Sequence, residues 1–431
     1  MFPTTLDELI LSIEKLYPVS IELGLDRVSQ LLDKLGNPQN KLNNVVHVAG
    51  TNGKGSTLSF LASILRQHDK TVHVYTSPHL VSWAERFYVD IPSWANNMLW
   101  EKQNFDEAEQ ILEQAIHHVL SINRNDPITV FELLTCAAFY LFSIHPHDYI
   151  LLETGLGGRL DATNVVSSPV ITAITSIALD HQEYLGYSVE NIAYEKAGII
   201  KSDVPVVVPN SLKSSVFSVI KKCADEKHAP VILSNPYSDY TLGLVGEHQC
   251  HNAGIAMELA QYILKDAFDL QKAQQGLQTT FWPGRLQTLE YFINSQDSVS
   301  LLLDGAHNEE GIQSFIDYLK GRHIRPKNST LFFHVKNRKD MWFKIKELFA
   351  CFDNIYIVDI EIEGGPHWEF EEVCSHMYRD VNQQIQKIDS WKQFNQVLNE
   401  NRSDLYYACG SLFFVGELLK KSFAQKNNET L

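Results

Sequence analysis

The sequence specifies an α/β protein with mostly parallel sheets, and three observations carry that expectation. Short β-branched runs alternate with segments of helical periodicity almost from end to end. The runs are apolar at nearly every position, as strands covered on both faces must be. One of them passes through a glycine-rich turn directly into a helix. With 431 residues, 44% of them apolar, the chain exceeds one ordinary core, so two or three domains are expected.

The N-terminus reads as an amphipathic helix with Leu6, Leu9, Ile10 and Ile13 on one face, and Asp7, Glu8 and Glu14 exclude a signal peptide. Strands are expected at 45–49, 72–76, 149–153, 170–175 and 204–208. The segment 57–66 between the first two carries Leu58, Leu61, Ala62 and Leu65 at helical spacing. Trp282-Pro283-Gly284-Arg285 and the polar stretch at 294–298 then break the pattern, and a fresh strand begins at Leu301. This divides the chain into a nucleotide-binding domain, 1–281, and a Rossmann-like domain, 282–431. The second has strands at 301–303, 330–335, 354–359 and 405–409, and residues 426–431 read as a frayed tail.

Lys and Arg number 36 and Asp and Glu 52, a net charge of −16. So acidic a chain has no electrostatic reason to bind nucleic acid or an anionic membrane. No apolar run is long enough to span a bilayer. Six scattered cysteines without a C-x-x-C pair suit free thiols in the cytoplasm, where the chain is expected to act as a monomer. His248, Cys250 and His251 stand too close together to supply a tetrahedral zinc site.

Gly50-Thr51-Asn52-Gly53-Lys54-Gly55-Ser56-Thr57 follows the first strand and reads as a phosphate loop. Its glycines let backbone N–H groups turn inward, and the helix that follows adds its positive end. Lys54 adds a point charge, and Ser56 and Thr57 place hydroxyls within reach of Mg²⁺ or a phosphate oxygen. Glu153 ends a buried strand, where a metal is commonly held in a sheet with such a loop. His181 follows the neighbouring strand and Ser77 another, which makes both candidates for the same region. Asp161 admits a second reading, an ordinary turn carboxylate.

Together these segments resemble the bacterial folylpolyglutamate synthase/dihydrofolate synthase family of the Mur ligase superfamily. The resemblance runs through Leu23–Val28, the phosphate loop, Thr76–Leu80 with Glu85 and Arg86, Glu153–Asn164, and Ser176–His181. It continues at Glu195-Lys196-Ala197-Gly198, Pro283-Gly284-Arg285, Asp304–Asn308 and Cys409-Gly410-Ser411. It implies a Mur-ligase-like central domain joined to a C-terminal Rossmann-like domain, with ATP bound between them. Two Mg²⁺ sites are implied, one at Ser77 and Glu153 and one involving Glu153 and His181. Lys196 corresponds to a lysine that is carbamylated in this superfamily. The resemblance further implies that Asn252 meets adenine, Arg285 the phosphates, Asp304 the ribose, and His307 the phosphates and incoming glutamate. Arg86, Arg159, Asp161 and Ser411 would meet the remaining substrates.

The implied reaction is ATP-dependent coupling of L-glutamate to dihydropteroate or a reduced folate through an acyl phosphate. Two segments depart from the family: Arg86-Phe87-Tyr88-Val89-Asp90 lacks an Asn-Gly turn, and His334–Asp340 is an unusual version of an acidic–Lys–Asp segment. The alternatives are a folylpolyglutamate synthase alone, a cell-wall ligase, and a non-catalytic ATP-binding switch. Only about 45 residues precede the phosphate loop, too few for the sugar-nucleotide domain of a cell-wall enzyme.

Overall fold

The computed structural model describes residues 5–16, 22–90, 106–123, 126–238, 241–321, 329–334, 341–362, 370–377, 384–400 and 405–427. The chain forms two compact units, one of residues 1–243 with 249–282 and one of 244–248 with 283–431.

The first unit holds strands β1 (Val45–Ala49), β2 (Val72–Tyr75), β3 (Phe87–Tyr88), β4 (Tyr149–Glu153), β5 (Ile171–Ile174), β6 (Val206–Pro209) and β7 (Val231–Ser234). They lie in the order β3-β2-β4-β1-β5-β6-β7, all parallel except β3, which runs antiparallel to β2. β1 is central and every one of its residues is buried. Tyr75, Ile150 and Leu152 share a core with Phe139 and Phe142 of the helix Val130–Ile144. Ile174, Val206 and Val208 share another with Ala193, Val216 and Ile220. The N-terminal helix, Leu6–Leu16, buries Leu6, Leu9, Ile10 and Ile13 as its spacing requires. Parallel order brings the carboxyl ends of β1, β2, β4 and β5 to one edge of the sheet, where ligands of such folds bind.

The second unit holds β8 (Gln287–Phe292), β9 (Ser298–Leu303), β10 (Thr330–Phe333), β11 (Asn354–Val358), β12 (Gln384–Ile388) and β13 (Tyr406–Cys409). Their order is β12-β11-β10-β13-β9-β8, parallel except for β8 against β9. Leu302, Leu331, Phe333 and Ile357 pack with Phe315, Ile345 and Phe349. Among the described residues no helix is long and apolar enough to cross a membrane. None of the six cysteines forms a disulfide.

The structure corrects the expectation that 282–298 only interrupts the pattern. Residues 287–292 form β8, and the polar stretch is the turn of a hairpin, where Asn294 Oδ1 accepts the N–H groups of Gln296 (2.8 Å) and Asp297 (2.9 Å). An edge strand exposes alternate side chains, so Gln287-Thr288-Leu289-Glu290 lacks the continuous apolar run of a central strand. β3, β7 and β12 escape the same reading, each at or beside a sheet edge. Residue 335, expected to end a strand, and residues 335–340 of the unusual segment lie outside the described residues.

Candidate functional site

β1 delivers the glycine-rich turn to the edge of the first sheet, and the helix Lys54–Gln67 begins immediately after it. Gly53 has φ +84°, and a Cβ there would lie 2.3 Å from Asn252 Oδ1, so only glycine fits. The turn is tied to the end of β5. Thr51 N–H donates to the Ser176 carbonyl (2.9 Å), Asn52 N–H to Ser176 Oγ (3.0 Å), and Thr175 Oγ1 to the Asn52 carbonyl (2.6 Å). Lys54 Nζ folds back onto the Gly50 (3.0 Å) and Thr51 (3.2 Å) carbonyls and stands 3.7 Å from Glu153 Oε1. Lys196, buried at the end of the helix Val189–Ala197, donates to the same Gly50 carbonyl at 2.9 Å. Ser56 and Thr57 are buried in the first helical turn. Thr57 Oγ1 makes no hydrogen bond among the described residues.

Glu153 is 4% exposed at the end of β4, and the Ser77 N–H lies 3.4 Å from its Oε2. His181 follows β5 in a left-handed conformation, φ +48°, beside the buried Asp180, whose Oδ1 is 3.9 Å from its Nε2. Among the described residues no three His, Cys, Asp or Glu side chains gather as a metal cage. A buried carboxylate at a strand end with Ser77 beside it, and the buried Thr57 hydroxyl without a hydrogen bond among the described residues, suit Mg²⁺, which keeps waters and takes substrate phosphates as ligands.

The loop after β4 packs onto the end of the Val189–Ala197 helix. A Cβ on Gly158 would lie 2.8 Å from the Glu195 carbonyl oxygen. Arg159 donates through Nε (3.2 Å) and Nη2 (2.9 Å) to the Glu195 carboxylate. Asp161 is buried and turned inward. It accepts the N–H groups of Leu156 (2.8 Å) and Thr163 (3.0 Å) and the Thr163 hydroxyl, the turn-carboxylate geometry of the second reading. Burial raises its pKa. Arg86 donates through Nε to His79 Nδ1 (2.9 Å) and covers the Trp83 ring.

In the second unit, Arg285 lies between Gly284 and Leu286, both with positive φ, and its Nη1 reaches 2.5 Å from where a Cβ on Gly305 would sit. Asp304, at the end of β9, accepts the N–H groups of Leu286 and Ala306, each at 2.9 Å. Its pKa is raised by burial, an effect the nearby Arg285 and these bonds offset. His307 donates from Nδ1 to the Gly305 carbonyl (2.7 Å). Ser411 opens the helix Leu412–Asn427, with its Oγ 3.5 Å from the Phe414 N–H.

The first unit thus brings Lys54 and Lys196 to the Gly50 carbonyl and Ser77 and Lys54 to Glu153, while in the second Asp304 joins the turn of Arg285 to the turn of His307. Sequence reading missed Thr175 and Ser176, which brace the phosphate loop, and Glu195, which holds Arg159. Polar residues at the end of the strand beside β1 were the available signal.

A family model for the Mur ligase middle domain matches residues 48–235, and one for the dihydrofolate synthetase C-terminal domain matches 287–421. The chain is 31% identical to the dihydrofolate synthase/folylpolyglutamate synthase of Bacillus subtilis, covering 93% of this chain and 95% of that one. It is 32% identical to the dihydrofolate synthetase of Saccharomyces cerevisiae, covering 93% and 98%. Among solved structures, E. coli FolC in complex with DHPP and ADP superposes with a TM-score of 0.80 at 28% identity, over 98% of this chain and 99% of that one. A bifunctional folylpolyglutamate synthase/dihydrofolate synthase with Mn, AMPPNP and L-glutamate bound gives 0.79 at 26%, over 97% and 98%.

Proposed function

The chain belongs to the dihydrofolate synthase/folylpolyglutamate synthase family and is an ATP-dependent ligase of L-glutamate; we propose that one active site serves both dihydropteroate and reduced folates. The observation that carries the ligase chemistry is the meeting of Lys54, Glu153 and Lys196 beside the phosphate loop, and the relative named for both activities supports the shared site.

A carboxylate is a poor electrophile, so amide formation requires its activation. The acceptor carboxylate attacks the γ-phosphorus of ATP, ADP leaves, and an acyl phosphate results. The amine of glutamate then attacks the acyl carbon, expelling phosphate. The first step brings two anions together, and Lys54, the loop N–H groups and Arg285 lower that repulsion as charge redistributes. Glu153 and Ser77 would hold a divalent ion, with a second at Glu153 and His181. Such ions supply charge neutralisation at the phosphates. Lys196 would carry a carbamate, which converts an ammonium beside Gly50 into an anion that organises this region. Asn252 abuts Gly53 and serves the nucleotide end, while His307 and Ser411 serve the incoming glutamate. Arg86 and Arg159 border the acceptor, and Asp161 shapes the loop that carries Arg159. Activity is expected in the cytoplasm, from a monomer.

Both reactions activate a carboxylate and add the same amine, so only the pterin end of the acceptor must shift. The yeast relative and the C-terminal family model, both named for dihydrofolate synthetase, favour a second reading with that activity alone. Purified protein given ATP, glutamate and each acceptor in turn separates the readings through ADP release and product mass. Glutamylation of both acceptors supports a shared site, and product from dihydropteroate only supports the second reading. Turnover with neither acceptor overturns both.

A further inference from the structure

β1 carries a residue that the reaction leaves unused. His47 is fully buried at the middle of that strand, with Nε2 2.8 Å from Thr163 Oγ1. The Thr163 hydroxyl has a single proton and donates it to Asp161 Oδ1. The proton between His47 and Thr163 must then sit on Nε2, which leaves Nδ1 bare. Nδ1 is indeed buried without a hydrogen bond among the described residues. Burial, with the charge of Lys201, lowers the ring's pKa to about 3, so it stays a neutral donor at working pH. Asp161 in turn accepts the Leu156 N–H at 2.8 Å. The chain of bonds therefore runs from the central strand through Thr163 and Asp161 to the start of the loop that carries Arg159.

We propose that His47 is a positioning residue for the acceptor. Through Thr163 it holds the Asp161 carboxylate, and with it the loop 155–161, in the conformation that receives the pterin end. The inference rests on the reading that this loop borders the acceptor. His47 also lies three residues before Gly50, so a merely structural defect in β1 reaches the phosphate loop and ATP. Loss of the relay acts on the acceptor instead, and the two consequences are separable.

The test uses the full chain with His47→Leu, His47→Gln, Thr163→Val and the double variant His47→Leu/Thr163→Val. His47→Leu should raise KM for dihydropteroate roughly tenfold, the scale of one lost buried hydrogen bond, with KM for ATP changed by less than about twofold. His47→Gln, whose amide supplies an N–H near the Nε2 position, should recover most of the loss. The double variant should cost no more than the worse single one, because both break the same chain. Hydrogen exchange at the Leu156 and Thr163 amides, measured without substrates, should speed up in His47→Leu and return in His47→Gln. Unchanged exchange, or equal rises in both KM values, overturns the relay. Faster exchange with an unmoved acceptor KM overturns the assignment of this loop to the acceptor, and the inference with it.

Discussion

Two turns, one in each unit, follow buried parallel strands and carry charged residues at equivalent places, yet they use those charges differently. After β1, Lys54 donates to the Gly50 and Thr51 carbonyls and stands 3.7 Å from Glu153 Oε1. A carbonyl oxygen carries no net charge, so these bonds orient the ammonium and leave it able to act on an incoming phosphate. After β9, Asp304 is taken up by the N–H groups of Leu286 and Ala306, and it joins two turns of its own unit. Position at a strand end selects a residue for a site; the number of local donors it satisfies decides whether its charge serves a ligand or the fold.

The largest test of this contrast is Lys54→Ala. Turnover should fall on the order of a hundredfold to a thousandfold while the protein still folds. Near-normal ligase rates would break the comparison at its stronger side. Lys196→Ala should be inactive and partly rescued by added formate or acetate if a carbamate acts there. An unmodified lysine in the electron density of the active enzyme would count heavily against that role. Glu153→Gln should raise the Mg²⁺ concentration for half-maximal activity by about tenfold or more, because a neutral amide is a far weaker ligand for a hard cation. An unchanged Mg²⁺ titration would remove Glu153 from the metal region.

On the other side, Asp304→Asn replaces one acceptor with a donor facing a backbone N–H. Stability should drop by about 1–3 kcal/mol, with a smaller effect on KM for ATP. Unchanged stability with a large rise in that KM would make Asp304 a ribose contact instead.

The smallest effect concerns His47, another inward-turned group. Its pKa is depressed from 6.5 to about 3 by burial, so its contribution to stability is present above pH 6.5 and is lost as pH falls toward 3. Denaturant titrations at pH 7 and pH 4.5 should show wild type losing about 2 kcal/mol more than His47→Gln across that interval. Equal losses would mean that the ring protonates in the folded state.

The sequence alone determined the α/β class, the central strands and the phosphate loop, for a physical reason. A strand buried on both faces needs an unbroken apolar run, and a turn that wraps phosphate needs glycine where Cβ has no room. Local chemistry leaves a local signature in both cases. Edge strands such as β8 need only alternate apolar positions, and their polar half is indistinguishable from a loop until a partner strand is known. The same holds within the site. Lys54 was legible because its neighbours in sequence are its neighbours in space. Ser176, Glu195 and His47 were not, because the sheet order that places β4 and β5 on either side of β1 is a property of the folded chain. Asp161 takes its N–H groups from Leu156 and Thr163 close by in the chain, as the turn-carboxylate reading expects, but for Asp304 only tertiary structure supplied the Leu286 N–H that comes from another turn.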